Sequence, residues 1–199
     1  MNILTACKAI QEARGHAILI ATMGAMVAFD KLNAGQPRLN SVPLMGGSAS
    51  LGMGLALAHP DHTIIVVDGD ASLLMQLGAL VTVMGKSPRN FHHFLISNGT
   101  QFSGLSNLPL PGRQVDYCAL AAAAGYPATH RIQDEENLTM RIEDIVSSDG
   151  PSFTDLTIEP DPPIFGADSP QQDWSDHQFT RMGDEARQLA AWLANRGAA

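Results

Sequence analysis

The chain has 199 residues, 45% of them hydrophobic, and its 12 basic residues stand against 20 acidic ones for a formal net charge of −8. The length fits one domain, or one domain plus a tail, with enough apolar content for a real core. The acid excess argues against a nucleic-acid partner, no apolar run is long enough to span a bilayer, and two isolated cysteines (Cys7 and Cys118) cannot hold an iron–sulfur cluster. The two cysteines read as buried thiols in a reducing compartment. The opening MNILTACKAIQEARGH lacks the apolar core of a secretion signal, so a cytoplasmic protein is expected.

In chain order, Asn2–Ala13 carries Ile3, Ala6, Ile10 and Ala13 at helical spacing. His16–Ala21 reads as a strand, Thr22-Met23-Gly24 as its turn and Ala25–Leu32 as a short helix. Ala34–Pro43 is polar and Pro-punctuated, a crossing loop, and Gly47–Ala58 is a small-residue helix able to pack closely against a sheet or another subunit. The β-branched run Ile64–Val67 ends in Asp68-Gly69-Asp70. Ser72–Met84, with Leu73, Leu77, Leu80 and Met84 in phase, predicts one helix, and Phe91–Ser97 a second strand stopping at Asn98-Gly99. A long loop (Thr100–Arg113), an Ala-rich helix (Val115–Ala124), a strand (Pro127–Ile132), a helix capped by Asp134 (Asp134–Ser147) and a final strand (Ser152–Ile158) follow. Strands alternating with helices predict an α/β fold, a three-layer αβα sandwich around a mostly parallel sheet. Beyond Glu159 the composition turns to Pro, Asp and Gln, and Met182–Asn195 predicts one last helix. Residues 1–160 are therefore expected to form the domain, and 161–199 a C-terminal tail with one docking helix. The tail is either solvated or a lid or subunit clasp anchored by Phe165 and Trp174.

Asp70 and Asn98 fall at the carboxyl ends of two strands, where open α/β sheets bind ligands. A carboxylate and an amide carbonyl are the hard oxygens that Mg²⁺ prefers, and the N–H groups of Ala71 and Ser72 at the next helix start suit a phosphate. The same residues also fit plain turn and capping roles.

Gly69-Asp70-Ala71, a helix, a strand and then Asn98, 28 residues after Asp70, resemble the thiamine-diphosphate (ThDP) motif that runs from Gly-Asp-Gly to Asn. Ala71 replaces the last glycine, and Ser97 the first of a frequent Asn-Asn pair. The resemblance implies a ThDP-binding fold with Mg²⁺ held by Asp70, Asn98 and the backbone carbonyl of Thr100. It puts Gly69, Ala71, Ser72, Gln101 and Phe102 beside the cofactor. Upstream, Pro43-Leu44-Met45-Gly46 is similar to the family's Gly-Ser-Met-Gly segment before a small-residue helix. By that resemblance Met45 is the apolar wedge under the bent cofactor, and the carbonyl of Pro43 bonds its aminopyrimidine. Thr22, Gly24 and Ala25 lie at the first strand-to-helix turn, where the family also contacts the diphosphate.

Over roughly residues 1–160 the resemblance is to the small decarboxylases of phosphonopyruvate and sulfopyruvate. It implies decarboxylation of a small 2-oxo acid with the cofactor as electron sink. The catalytic glutamate is then expected on a separate pyrimidine-binding α subunit, with no catalytic residue on this chain, which becomes the β subunit of a hetero-oligomer, minimally α2β2. Two alternatives stay open: a subunit of an acyloin- or acetolactate-type carboligase, and a non-catalytic α/β assembly subunit. A 2-oxo acid:ferredoxin oxidoreductase subunit would normally be longer and carry cluster cysteines. In the substrate stretch after Asn98 only Ser103 matches the family's phosphonopyruvate enzymes, and Arg113 is the one nearby cation for an anionic substrate. His92 and His93 lie within a strand and should point to opposite faces, as core or helix-facing residues. Asp68 is expected to make structural hydrogen bonds, and Asp116, Tyr117 and Asp134-Glu135-Glu136 to be surface or capping residues.

Overall fold

Six short runs become strands of one parallel sheet, in the order β2-β1-β3-β4-β8-β7. A computed structural model describes residues 1–42, 44–102, 107–110, 115–160 and 177–196 of the chain, with Phe102 and Arg196 described by their backbone alone. The elements are α1 (Ile3–Ala13), β1 (Ile18–Ala21), α2 (Gly24–Lys31), β2 (Arg38–Asn40), α3 (Ser48–Ala58), β3 (Ile64–Gly69), α4 (Asp70–Met75) and α5 (Ala79–Lys86). Then come β4 (Phe91–Ser97), a small hairpin of β5 (Thr100–Phe102) and β6 (Asn107–Pro109), α6 (Tyr117–Ala124), β7 (Ala128–Ile132), α7 (Glu135–Ser147), β8 (Ser152–Thr157) and α8 (His177–Arg196).

Side-chain alternation along the strands builds two cores, because neighbouring residues of a strand face opposite ways. Ile65, Val67, Phe94 and Ile96 meet Cys7, Ile10, Phe29 and Ile142 of α1, α2 and α7 on one face. Ile64, Val66, Phe91 and Leu95 meet Ala56, Leu80, Val83 and Ala121 of α3, α5 and α6 on the other. The result is a three-layer αβα sandwich. Gly52 brings α3 against β3, where a Cβ would stand 2.3 Å from Val66 Cγ2. Asp134 caps α7 by accepting the Asn137 N–H at 2.9 Å, and Asp116 caps α6 by accepting that of Ala119 at 2.9 Å. Tyr117, in contrast to the surface position expected, is buried. Cys7 is fully buried, and burial pushes its thiol up to about 12, whereas Cys118 is only half-buried and donates to the His130 carbonyl.

Four segments differ from expectation. The crossing loop contains β2, an edge strand in register with β1 (Leu19 with Arg38, Ala21 with Asn40). Arg38-Leu39-Asn40 has little strand propensity. Buried Arg38 holds it by pairing with Asp30 at 2.8 Å and donating to the Met26 carbonyl and Asn40 Oδ1. The single helix expected over Ser72–Met84 is two, α4 and α5, broken at Gln76-Leu77-Gly78, because the turn at Gly46 packs onto Gln76. The loop after β4 folds back as the β5–β6 hairpin, with Leu110 N–H donating to the Gly99 carbonyl at 2.9 Å. Finally, α8 begins five residues earlier than expected and lies along β2. Phe165 and Trp174 lie outside the described residues. Among the described residues no helix is long and apolar enough to cross a membrane.

Candidate functional site

The chain leaves β1 for β2 on one side and later adds β3 on the other, so the carboxyl ends of β1 and β3 form a topological switch point, the usual ligand crevice of open α/β sheets. A cavity of ≈ 320 Å³ opens there. Thr22, Gly24 and Ala25 after β1, and Met45 before α3, line one part of it. Gly69 to Ser72 after β3, and Asn98, Thr100 and Gln101 after β4, line the rest. Eleven residues spread over eighty positions of sequence thus share one hollow. Pro43 lies outside the described residues, and so do Ser103, Arg113 and the side chain of Phe102.

Asp70 is 2% exposed. Its Oδ1 accepts the Ala71 N–H at 2.8 Å and its Oδ2 the Gly99 N–H at 2.7 Å. Burial pushes the carboxyl up to about 6, although the backbone N–H groups of Gly99, Ala71 and the nearby Asn98 pull it down. The Ala71 N–H, expected to face a phosphate, is thus already committed to Asp70. Asn98 Oδ1 accepts the Thr100 N–H at 2.9 Å, and Gly99 between them adopts φ +69°, the left-handed conformation that suits glycine. Thr100 pairs with Pro109 next to the hydrogen-bonded Gly99–Leu110 pair, so its carbonyl points away from β6, and its hydroxyl is buried with no partner among the described residues. None of the described lining residues is Lys, Arg or His. A buried carboxylate, an amide carbonyl and a backbone carbonyl without a facing cation fit an oxygen-preferring divalent cation. Among the described residues no three His, Cys, Asp or Glu side chains converge in the way that a nitrogen- or sulfur-rich metal site would require.

The segment before α3 is locked to the same element. Ser72 Oγ accepts the Gly46 N–H at 2.8 Å, Gly46 has φ +83°, and a Cβ on it would lie 2.5 Å from Gln76 Cβ. Only glycine permits this approach, and it aims the preceding Met45 at the cavity. After β1, Thr22 Oγ1 donates to the Ser41 carbonyl at 3.1 Å and Ala25 N–H to the Thr22 carbonyl at 3.2 Å. Met23, between them, has φ +49° and ψ −126°, which L-residues seldom adopt.

Asp68, which also lines the cavity, and His93 behind it are both buried, with His93 Nε2 3.6 Å from Asp68 Oδ2 and the Gly69 N–H donating to Oδ1 at 2.9 Å. Burial pushes the Asp68 carboxyl up. The facing His93 imidazole, with help from Ser72 and Ser48, outweighs that and holds it below the ordinary value. His92 faces the other core and bonds Ser152 Oγ at 2.8 Å. Asp155, buried on β8, faces Arg131 at 3.5 Å. The sequence held no signal for Met23, nor for Gln178 and Phe179 of α8, which also line the cavity from more than seventy residues away.

Residues 25–156 match the family described as thiamine pyrophosphate enzyme, C-terminal TPP binding domain. A phosphonopyruvate decarboxylase of Streptomyces hygroscopicus is 40% identical over 119 residues, covering 60% of this chain and 29% of that protein. A sulfopyruvate decarboxylase subunit beta of Methanothermobacter thermautotrophicus is 33% identical over 128 residues, covering 63% of this chain and 65% of that protein. The chain therefore spans less than a third of the first relative and about two thirds of the second. An X-ray structure of a Mycobacterium smegmatis chain assigned to the thiamin diphosphate-dependent enzymes shares the fold, with a TM-score of 0.65 over 80% of this chain and 32% of the other, at 16% identity.

Proposed function

This chain belongs to the thiamine pyrophosphate enzymes, by their C-terminal TPP-binding domain, and from that premise we propose that it is the cofactor- and Mg²⁺-binding β subunit of a heteromeric 2-oxo acid decarboxylase of the phosphonopyruvate/sulfopyruvate type. Residues 1–160 act as the binding domain, in a cytoplasmic protein whose pyrimidine-binding α subunit supplies the catalytic glutamate. The observation that carries the proposal is Asp70: a carboxylate buried at the strand ends, held by two N–H groups, in a cavity whose described lining offers it no cation.

Asp70, the Asn98 side chain and the Thr100 carbonyl would hold the metal, which would supply positive charge against the diphosphate. Thr22, Gly24, Ala25, Gly69, Ala71, Ser72, Gln101 and Phe102 shape the cradle around it. Met45, fixed through Gly46 and Ser72, would pack against the rings of the cofactor, and the resemblance gives the pyrimidine contact to the carbonyl of Pro43, which lies outside the described residues. When bound, the cofactor supplies the electron sink that lets a 2-oxo acid lose CO₂. This chain's part is to bind, bend and orient that cofactor and to keep water from its diphosphate side. The relatives' names support the substrate class, since one is a phosphonopyruvate decarboxylase and the other a sulfopyruvate decarboxylase subunit beta. With no cation in the described lining, recognition of a phosphonate or sulfonate falls in this reading to the partner or to Arg113, which lies outside the described residues. The same lining also favours a second reading, a carboligase subunit acting on a 2-oxo acid without a second acid group.

Calorimetry with ThDP and Mg²⁺, on the chain alone and mixed with a candidate α subunit, tests the proposal. Binding in the mixture that is lost in Asp70→Ala and Asn98→Ala is the expected result. Absence of binding in both samples would overturn it.

A further inference from the structure

Phe179 lines the same cavity as Asp70 and is 52% exposed, on a helix that is fastened along its whole length. At the start of α8, Gln178 Nε2 donates to Asp30 at 3.0 Å and Arg181 donates to both Asp30 oxygens at 2.9 and 3.0 Å. In the middle, Glu185 accepts the Asn40 N–H and the Asn40 side-chain amide, each at 3.1 Å, and so covers the free edge of β2. Towards the end, Leu189 is buried and the Trp192 ring lies 5.2 Å from that of His62. Asp30 belongs to α2, whose first turn forms part of the cavity wall. The first turn of α8 is therefore keyed to the element that shapes the cavity. An aromatic ring held by a rigid helix at a cavity rim can bury apolar ligand surface at little entropic cost.

We propose that the first turn of α8 is a wall of the cavity and that Phe179 is a binding residue for the aromatic rings of its ligand. The identity of that ligand, ThDP, rests on the function proposed above. Phe179 has no donor for a phosphate, whereas the metal site lies with Asp70 and Asn98, so the ring and diphosphate contributions separate. Arg181 and Asp30 act as positioning residues for the helix.

The test is calorimetric titration of the full chain, with its α subunit present, by ThDP and separately by inorganic diphosphate, each with saturating Mg²⁺. Phe179→Ala is expected to weaken ThDP three- to tenfold and leave diphosphate unchanged, and Phe179→Tyr to bind ThDP as wild type. Arg181→Ala should weaken ThDP in the same direction, and Asp70→Ala should abolish both ligands. Equal thermal melts of wild type and Phe179→Ala exclude a folding effect. Unchanged ThDP affinity in Phe179→Ala, with Asp70→Ala still abolishing it, would overturn this inference and leave the proposed function standing. No ThDP binding by the wild-type assembly would overturn both.

Discussion

Asp70 Oδ2 accepts a 2.7 Å hydrogen bond from the backbone N–H of Gly99, so the carboxylate that follows β3 is fastened to the turn that follows β4. The left-handed backbone of Gly99 aims that N–H, and the Ala71 N–H holds the other oxygen. Each oxygen keeps a lone pair in reserve. The carboxylate is thus oriented before any ligand arrives, which lowers the ordering cost of binding one.

Because Asp70 is the one proposed metal ligand with a formal charge, removing the metal and removing the carboxylate should look alike. With ligand at about 100 times its Kd, ThDP and Mg²⁺ stabilise the protein by about 2.7 kcal/mol, a rise in Tm of about 5–10 °C for a chain of this size. EDTA should abolish the rise, and Asp70→Ala should show none. A proton competes with the metal for a carboxyl lifted to about 6. Apparent metal affinity should therefore be level above about pH 6 and fall by up to tenfold per unit below it. Melting curves across that range, with and without Mg²⁺, read both effects.

Gly46→Ala puts a methyl group 2.5 Å from Gln76 Cβ at a φ of +83°. The added clash and left-handed strain should cost about 2–4 kcal/mol. Since the turn also aims Met45, cofactor affinity should fall along with the denaturation midpoint. A wild-type midpoint in urea would contradict the geometry.

Two glycines of α3 should respond oppositely to the same change. At Gly52 a Cβ would stand 2.3 Å from Val66 and 3.1 Å from Phe91, so Gly52→Ala should destabilise by about 1–3 kcal/mol. At Gly54 nothing lies within 4 Å, and Gly54→Ala should stabilise the helix by about 0.5–1 kcal/mol. Urea denaturation of the two variants makes the comparison.

His93→Leu leaves the Asp68 carboxylate buried without its facing imidazole and should cost about 3–5 kcal/mol. Adding Asp68→Asn removes the stranded charge. The double variant should therefore be more stable than His93→Leu alone, which equilibrium unfolding of the two would show.

The hold on α8 should weaken in acid. Burial pushes the Asp30 carboxyl up, but bonds and charge from Arg181, Arg38 and Gln178 bring it below its ordinary value. A carboxyl lowered in the folded protein contributes stability above its unfolded value and loses it as pH falls through the folded one. Hydrogen exchange should thus show α8 losing protection below about pH 4 before β3 and β4 do. Asp30→Asn should show the same loss at neutral pH. Equal protection of α8 in that variant would refute the clasp.

The apolar runs of β1, β3 and β4, the Asp134 cap and the position of Asp70 and Asn98 at the ends of two strands were all legible in the sequence. Each depends on residues a few positions apart, and strand alternation, helical spacing and turn chemistry are local properties. Only the tertiary structure made Arg38-Leu39-Asn40 a strand, because its pairing comes from β1 and its edge is covered by Glu185, 145 residues after Asn40. It likewise broke the helix at Gln76, where Gly46 arrives from another part of the chain, and turned the loop after Asn98 back as a hairpin. The sequence alone determined the class of fold and the strand ends that carry the oxygen ligands. Which distant side chains share the cavity, Phe179 among them, was decided by packing, since close approach and edge pairing depend on contacts that no local pattern encodes.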